Sequence, residues 1–428
     1  MKRFKRWFGA GLFAVMMTIA LSTCQASLPD STPSVSMAST PSLDKRILDL
    51  RAGNVVVQVV DKSGRPVKNA IVRLEQTAHN FEFGVSLRTE MFQDKTNATH
   101  RTKYLNIVKE LFNASVHEDA LKWYSTESTQ GQLNYADADR ILQWSEQNKL
   151  RMRGHNLFWE VERWSQPWLK TLSSSALRTA AQNRATQICT RYRGRIGEYD
   201  VLNEILNGDF FQKRLGNGII KDMFAWCRKA DPAAVLYTNE YNILNGEQLD
   251  RYVALIRSLQ AQKIPLGGIG VQAHFRQDVT ADQMQRSLDT LAKLGLPIKI
   301  TEFSAVGDTE QKQAQTLSDL YRVAFAHPAV VGIFMWGFWE GAIWERRSAI
   351  FKQNFEPKLA ARTYRDLVRK QWWTNQTGKT SDRGEFSIRA FFGTYRLTVQ
   401  AGKTIREQQF SVLPGSRSPQ IVRLTLAQ

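Results

Sequence analysis

Two glutamates close to the ends of short apolar runs are the residues of this 428-residue chain most able to do chemistry. Glu204 ends the run 199–204, and Glu302 lies next to the end of the run 298–303. A carboxylate at the end of a buried strand is unfavourable unless it is paired or used. Two carboxyl groups on separate strands of one barrel are the arrangement that cleavage of a glycosidic bond requires. The sequence therefore predicts an acid/base site, provided that both strands belong to one barrel.

The elements that would position these glutamates repeat along most of the chain. Short apolar runs alternate with longer amphipathic segments, which predicts an α/β fold, specifically a (β/α)8 TIM barrel. Most of the runs end in polar or aromatic residues, at the position where barrel enzymes carry their active sites. The runs cover residues 81–86, 112–117, 152–159, 198–204, 235–241, 267–275, 298–304 and 330–338.

The two flanks of the barrel have strand patterns of another kind. Residues 54–75 and 378–399 alternate apolar and polar side chains around Gly- and Pro-containing turns. Read together, they resemble one carboxypeptidase-regulatory, transthyretin-like β-sandwich. We therefore predict a small sandwich built from both flanks, with halves at 47–79 and 374–428 and the barrel at 80–373. Two separate β appendages are the alternative.

The N-terminal segment has the composition of an export signal and a tether. Residues 1–23 combine a basic start with an apolar run that is short for a membrane span, which predicts a signal peptide. Cys24 follows a sequence that resembles a bacterial lipobox, so it is a possible lipid anchor, with cleavage slightly downstream as the alternative. Residues 24–46 are rich in Ser, Thr and Pro and predict a flexible linker. Both alternatives predict a protein that is secreted or lipid-anchored to the cell envelope.

The formal net charge of +18 raises the question of an anionic partner. Lys and Arg are scattered along the chain, and no recognition-helix, zinc-finger or RNA-binding signature accompanies them. We therefore predict a solvated basic surface and no nucleic-acid partner. An acidic substrate stays open.

The cysteines after the signal, Cys189 and Cys227, lie in helical patterns. The sequence favours two buried thiols, with one disulfide between neighbouring helices as the alternative. No Cys/His metal spacing is present, so we predict neither a metal nor a cofactor.

Four segments occur in a characteristic order along the predicted barrel. They read Gly-His-Asn-Leu-Phe-Trp at 154–159, Asp-Val-Leu-Asn-Glu at 200–204, Gly-Ile-Gly-Val-Gln-Ala-His at 268–274 and Ile-Thr-Glu at 300–302. This order and spacing resemble glycoside hydrolase family ten, the endo-β-1,4-xylanases and their relatives. The run at 159–162 and the leading β segment resemble the plant-type branch.

The resemblance implies a role for individual residues. Glu204 matches the acid/base of the family and Glu302 its nucleophile, which would make the reaction a retaining one. Asn203 would bind the sugar 2-hydroxyl, and His274 would orient Glu302. The substrate-binding residues that the resemblance implies are Glu118, Lys122, His155, Trp159, Asn203, Tyr241, Gln272, His274, Trp336 and Trp344.

Some positions depart from the family pattern. Ser304 stands where an aspartate usually supports the histidine, which predicts that His274 is less firmly oriented. Asp119 replaces the usual Asn, Glu162 the Gln of compact xylanases, and Glu240 the usual Asp. These departures put substrate preference, rate and pH optimum in question.

The function predicted from sequence is a retaining endo-β-1,4-xylanase-like hydrolase that acts on β-1,4-xylan or a related plant-type polysaccharide as a monomer. One alternative is a xylan endotransglycosylase, which would use the same glutamates. Another is a non-catalytic polysaccharide-binding wall protein.

Overall fold

The computed structural model describes residues 41–415 and 418–426, and its central element is a closed ring of parallel strands. The strands of this range are β1 (Ala52–Asp61), β2 (Ile71–His79), β3 (Glu82–Leu87), β4 (Ala114–His117), β5 (Arg151–Gly154), β6 (Phe158–Trp159), β7 (Glu198–Asn203), β8 (Val235–Glu240), β9 (Gly268–Val271), β10 (His274–Phe275), β11 (Ile298–Ala305), β12 (Val330–Met335), β13 (Asn375–Lys379), β14 (Glu385–Phe391), β15 (Gly393–Ala401), β16 (Thr404–Val412) and β17 (Gln420–Leu426).

The barrel consists, within the described residues, of eight strands in the order β3, β4, β5, β7, β8, β9, β11 and β12. All neighbours run parallel, and the pairing of β12 with β3 closes the ring. The two-residue strands β6 and β10 extend it by pairing with β7 and β11. Every residue of β11 is buried, as expected for a barrel strand covered on both faces. The predicted (β/α)8 barrel is confirmed.

Helices connect consecutive barrel strands, and side-chain caps define where several of them begin. The side chains of Asn97, Ser173, Thr280 and Thr309 each accept hydrogen bonds from backbone N–H groups in the first turn of a helix. The α-helices are α1 (Pro41–Arg51), α2 (Ala98–Leu111), α3 (Trp123–Thr126), α4 (Ala136–Gln147), α5 (Pro167–Thr171), α6 (Ser174–Arg191), α7 (Phe210–Leu215), α8 (Ile219–Ala230), α9 (Leu249–Ala261), α10 (Ala281–Ala292), α11 (Glu310–Phe325) and α12 (Leu359–Tyr364). Short 3-10 helices cover Thr89–Phe92, Glu162–Trp164 and Arg346–Ser348, and a π-helix covers Arg365–Gln371.

The flanks before and after the barrel pair with each other. Strand β1 lies between β14 and β17, and β2 lies between β13 and β15, with β16 at the edge of that sheet. Side chains from both sheets, such as Val57, Leu74, Leu397 and Leu424, share one hydrophobic core. The structure therefore joins strands that the barrel separates in sequence. The likeness to a transthyretin-like sandwich and the predicted domain boundaries stay predictions.

Residues 41–51 form α1, whereas the sequence predicted a linker through residue 46 and a sandwich half from residue 47. The helix is held against the barrel because Ile47 is buried and Arg46 Nε donates to the carbonyl of Ala326 at 2.7 Å. Asp44 also accepts from Arg322 at 2.7 Å. The predicted signal peptide, the rest of the linker and Cys24 lie outside the described residues. Within those residues, no helix combines the length and apolarity needed to cross a membrane.

Cys189 in α6 and Cys227 in α8 form a disulfide. The prediction of two buried free thiols is therefore wrong. The two helices pack side by side and bring the Cα atoms to 5.5 Å, a separation that a disulfide requires. The helical pattern of each segment showed that both cysteines are buried, but it could not show that they face each other.

Candidate active site

One cleft of about 750 Å³ at the carboxyl ends of the barrel strands brings together every site residue predicted from the sequence. The predicted residues that line it are Glu118, Lys122, His155, Trp159, Asn203, Glu204, Tyr241, Gln272, His274, Glu302, Trp336 and Trp344. The structure thus shows that they are neighbours, while the role of each residue is a separate proposal.

Glu204 follows β7 in a conformation that non-glycine residues rarely adopt, with a φ of 58°. Its backbone N–H donates to the carbonyl of Asn239 at 2.9 Å, which fixes this turn against the next strand. Trp159 Nε1 donates to Glu204 Oε2 at 2.9 Å, and Gln272 Nε2 donates to Oε1 at 3.2 Å. Both carboxyl oxygens are therefore oriented by neutral donors.

Glu302 lies on β11 and is only 5% exposed. Asn239 Nδ2 donates to its Oε1 at 2.7 Å, and His274 Nε2 lies 3.2 Å from its Oε2. Burial by itself would raise the pKa of Glu302, but the charge of His155, the hydrogen bond and charge of His274, and the charge of Lys122 together lower it to about 2. Glu302 is accordingly ionised throughout the physiological pH range, as a nucleophile must be.

Asn239, near the end of β8, contacts both glutamates: its carbonyl accepts from the backbone N–H of Glu204, and its side chain donates to Glu302. Its Nδ2 donates to Asn203 Oδ1 at 3.0 Å as well as to Glu302, and its Oδ1 accepts from Thr301 Oγ1 at 2.6 Å. Asn239 reaches across β9 because Gly270 has no side chain there, and a Cβ would lie 2.6 Å from Asn239 Oδ1. Asn239 therefore positions Asn203 and Glu302 at the same time.

Each of the two histidines of the site has a polar side chain within hydrogen-bonding distance of its Nδ1. Ser304 Oγ lies 2.8 Å from His274 Nδ1, so the ring keeps a hydrogen-bonding partner although the aspartate usual in the resembling family is missing. His155 Nδ1 lies 3.0 Å from Asp200 Oδ2, and Asp200 is in turn paired with the buried Arg153. These contacts fix the orientation of both rings toward the cleft.

At one end of the cleft, charged residues are paired with each other. Arg88 Nη1 donates to Glu118 Oε1 at 2.8 Å, and Ser86 Oγ donates to Glu118 Oε2 at 2.9 Å. Burial raises the pKa of Glu118, with the charge of Arg88 partly offsetting the effect. Lys122 Nζ lies 3.3 Å from Asp119 Oδ1. This end therefore combines a buried carboxylate, a partly exposed one and cations, which suit sugar hydroxyl groups.

Aromatic rings line the rest of the cleft. Lys122 Nζ lies 4.7 Å from the ring centre of Trp159 and 5.9 Å from that of Trp336. Trp336 is buried, whereas Trp344 is 44% exposed and contacts His274 edge-on at 5.1 Å. Tyr241 is partly buried, and its pKa is raised by burial and by the neighbouring Glu204 and Glu240. Flat aromatic faces of this kind suit the apolar face of a sugar ring.

Comparison with known proteins decides the family. The model of the family described as glycosyl hydrolase family 10 matches residues 74–367, well over half of the chain. The chain belongs to glycosyl hydrolase family 10. The match spans the whole barrel and both glutamates.

Proteins similar to this chain carry different names. Anti-sigma-I factor RsgI6 of Acetivibrio thermocellus is 37% identical over 368 residues, which is 86% of this chain and 47% of that protein. Endo-1,4-beta-xylanase 3 of Arabidopsis thaliana is 34% identical over 362 residues, which is 83% of this chain and 47% of that protein. The chain thus spans about half the length of these relatives.

A solved structure shows the same fold. Xylanase 10B of Thermotoga petrophila, crystallised with xylobiose, superposes with a TM-score of 0.63 at 24% identity. The match covers 68% of this chain and 95% of that one.

Several residues of this family 10 cleft escaped the sequence-based prediction. Asn239 could have been singled out by its position at a strand end, but its hydrogen bonds depend on three strands at once. Trp164 stacks on Trp159 at 4.9 Å and lies with the lining residue Arg163 in the 3-10 helix Glu162–Trp164, whereas Arg276 lies in the loop after β10. These segments are too short to show a periodic pattern, and their conformation, not residue type, brings the three side chains to the cleft.

Glu240, where the resemblance implies an aspartate, ends β8 and is fully buried. It accepts from the backbone N–H of Leu206 at 2.8 Å and from Asn207 Nδ2 at 2.9 Å. Burial raises the pKa of Glu240 to about 8, and these hydrogen bonds oppose that effect only in part. Glu240 therefore holds the loop that follows Glu204.

Among the described residues, no three His, Cys, Asp or Glu side chains are arranged to hold a metal ion.

Proposed function

We propose that this chain is a retaining endo-β-1,4-xylanase that hydrolyses xylan by double displacement. Membership of family 10 and the xylanase names of several relatives support this activity. The observation that carries the proposal is the pair Glu204 and Glu302 in one cleft, each held by different partners. Two carboxyl groups with distinct environments are what an acid and a nucleophile require.

In the first step, a carboxylate oxygen of Glu302 attacks the anomeric carbon of the sugar. The bond from that carbon to the glycosidic oxygen breaks, and Glu204 transfers its proton to the departing oxygen. The product is a covalent glycosyl-enzyme. This assignment follows from the low pKa of Glu302, which keeps it ionised, and from the nearby charge of Lys122.

In the second step, Glu204 removes a proton from water, and the resulting hydroxide attacks the same carbon. The bond to Glu302 breaks and the carboxylate is restored. Two inversions give net retention, which requires the carboxyl groups to be about 5–5.5 Å apart. Asn203 would bind the sugar 2-hydroxyl in both steps, since its side chain is held by Asn239 and Gln272.

Substrate binding follows from the remaining cleft residues. His155 and Gln272 would hold the sugar at the reacting position, and Glu118 and Lys122 the next one. Trp159, Trp336 and Trp344 would contact sugar faces, with Tyr241 beside the acid/base. The cleft of about 750 Å³ is lined by residues from many of the barrel loops, and such a site accommodates several sugars of a polymer, which supports an endo mode of action.

The test is hydrolysis of a linear xylo-oligosaccharide, followed by NMR of the first product. We expect the wild type to release the β-anomer first. Glu204→Ala should lower kcat/KM by about 10²–10⁴-fold, the usual contribution of a general acid. Glu302→Ala should give no product above background. Glu407→Ala, which alters an exposed glutamate of β16 in the flanking sheet, is the matched control.

Wild-type rates in Glu302→Ala would refute the site, and an α-anomer as first product would refute retention. Adding xylo-oligosaccharide acceptors separates hydrolysis from transglycosylation, because only transfer yields products longer than the substrate. A wild type without activity on any xylan would instead indicate a non-catalytic polysaccharide-binding protein.

We also propose that the mature protein works outside the cytoplasm, secreted or anchored through Cys24. The disulfide between Cys189 and Cys227 supports this location, since disulfides persist mainly in oxidising compartments. Mass spectrometry of the mature N-terminus tests the processing. Cell fractionation of wild type and Cys24→Ala tests the anchor: release of the variant alone from the membrane is the expected result, and identical fractionation contradicts it.

A further inference from the structure

Two arginines on the rim of the catalytic cleft form no salt bridge with any residue that the structure describes. Arg163 and Arg276 line the cleft and are exposed, and within the described ranges neither takes part in a salt bridge or side-chain hydrogen bond. The other cleft cations differ, because Arg88 is paired with Glu118 at 2.8 Å and Lys122 lies 3.3 Å from an aspartate. The N–H donors of these two guanidinium groups are therefore free for a ligand.

Arg163 lies on the side of the acid/base. Its guanidinium carbon is 5.3 Å from the ring centre of Trp164, which is 41% exposed. Trp164 stacks on Trp159 at 4.9 Å, and Trp159 donates its N–H to Glu204. A guanidinium over a ring is held by cation–π attraction while its N–H edge still points to solvent.

Arg276 repeats this arrangement on the side of the nucleophile. Its guanidinium carbon lies 5.1 Å from the ring centre of the exposed Trp344. Trp344 contacts His274 edge-on, and His274 lies 3.2 Å from Glu302. The nearby Glu345 forms its salt bridge with Arg347, at 3.3 Å, and the charge of Arg276 acts on Glu345 only at longer range. A chain of side-chain contacts thus leads from each proposed catalytic carboxyl group to one arginine. Each of these arginines is held against a tryptophan ring and forms no salt bridge within the described residues.

We propose that Arg163 and Arg276 bind carboxylate groups on substrate side chains, so that the preferred substrate is a β-1,4-xylan substituted with uronic acid. This inference rests on the proposed xylanase function. An unsubstituted xylan offers only hydroxyl and ether oxygens, which need no charged partner. A uronate carboxylate accepts two parallel N–H bonds from one guanidinium, the strongest pairing available to arginine. Two such groups on the rim would favour substituted regions of the polymer.

The experiment compares kcat/KM on glucuronic-acid-substituted xylan with kcat/KM on the same polymer after reduction of its carboxyl groups to alcohols. The proteins are the wild type, Arg163→Gln, Arg276→Gln and the double variant. The matched control is Arg383→Gln, which removes the same charge in the turn between β13 and β14. Arg383 is not one of the residues that line the cleft. A linear xylo-oligosaccharide is measured in parallel.

We expect the wild type to prefer the acidic polymer. Each arginine variant should lower the ratio of the two kcat/KM values by about two- to five-fold, as for an exposed ion pair. The double variant should lose most of the preference, and the control should keep it. Salt of about 0.5 M should also weaken the preference, because the Debye length then falls to about 4 Å.

Equal wild-type rates on the two polymers would overturn the inference, and so would variants that lose activity on both in the same proportion. If either result is found but the wild type still cleaves the linear oligosaccharide, only the inference on the arginines fails, and the proposed xylanase function is unaffected. A wild type that does not cleave the oligosaccharide refutes the function itself. Titration calorimetry with acidic and reduced xylan fragments then decides on the arginines: tighter binding of the acidic fragment supports their role, and equal binding contradicts it.

Discussion

Asn239→Asp is the substitution that most directly tests how Glu302, the proposed nucleophile, is kept ionised. The present amide donates to Glu302 Oε1 at 2.7 Å and accepts from Thr301 Oγ1 at 2.6 Å. Aspartate has nearly the same shape and keeps an acceptor for Thr301. It replaces the donor facing Glu302 by a negatively charged oxygen, so the change is electrostatic rather than steric.

The magnitude follows from the present state of Glu302. Its pKa of about 2, against 4.5 for an ordinary glutamate, corresponds to about 3 kcal/mol in favour of the ionised form. Two carboxylates about 4 Å apart repel each other by roughly 4 kcal/mol at an effective dielectric constant of about 20. The new repulsion is therefore as large as the existing stabilisation, and the two carboxyl groups should share a proton.

The expected result concerns the acid side of the pH–rate profile. The proposed mechanism requires ionised Glu302, so the wild type should lose kcat/KM only as the pH falls toward about 2. In Asn239→Asp the loss should begin about two pH units higher or more, because protonation of the pair becomes easier. Initial rates on an aryl β-xylobioside measure both profiles. Circular dichroism at each pH separates loss of activity from unfolding.

Asn239→Ala is the control, because it removes the donor without adding charge. It should lower kcat/KM at every pH and move the acid limb less than Asn239→Asp does. If the limbs of the two variants coincide with that of the wild type, Asn239 does not set the ionisation of Glu302, and the reasoning fails.

Three further substitutions test other contacts of the structure. Trp159→Phe removes the donor to Glu204 Oε2 and should lower kcat/KM on xylan about ten-fold, or about 1.4 kcal/mol, but lower it less on substrates whose leaving group needs no proton. An equal loss on both substrates would contradict a role through Glu204. Ser304→Ala leaves His274 Nδ1 without its partner at 2.8 Å and should lower kcat about ten-fold with little change in KM, and Ser304→Thr should restore it. Full activity of the alanine variant would show that the hydroxyl is dispensable. Cys189→Ser opens a cross-link over 38 residues and should cost about 4 kcal/mol of unfolding free energy, seen as a lower Tm that reducing agent reproduces in the wild type. An unchanged Tm would refute this estimate.

The barrel and most of its site were predictable because one physical property determines both. Strands of a closed parallel barrel are buried on both faces, so they appear in sequence as continuous apolar runs. The predicted run 298–304 corresponds to β11, Ile298–Ala305, in which every residue is buried. Polar residues at the ends of such runs must converge at one end of the barrel. Glu204 and Glu302 could therefore be placed together without knowledge of any contact.

Features that depend on two distant segments at once were not predictable in this way. The reach of Asn239 to Glu302 needs the empty space above Gly270, which only the assembled strands reveal. The disulfide needs the relative rotation of α6 and α8, since burial alone fits a thiol equally well. The helix at residues 41–51 forms because the barrel supplies carbonyl acceptors for its arginines, and a local composition rich in Ser and Pro does not contain that information.

The joining of the flanks follows from closure of the barrel. Pairing β1 with β14 connects residues more than three hundred positions apart, which in an open chain would carry a large loop-closure entropy. The barrel removes most of that cost, because pairing of β12 with β3 already brings its first and last strands together. Strands β2 and β13 can then pair directly, with Glu75 opposite Asn375. Arg51 stabilises the packing of α1 against the barrel by donating to the carbonyls of Phe325, His327 and Val330 at 2.7–2.8 Å. The flanking sheets are thus a consequence of the ring that also positions the two glutamates.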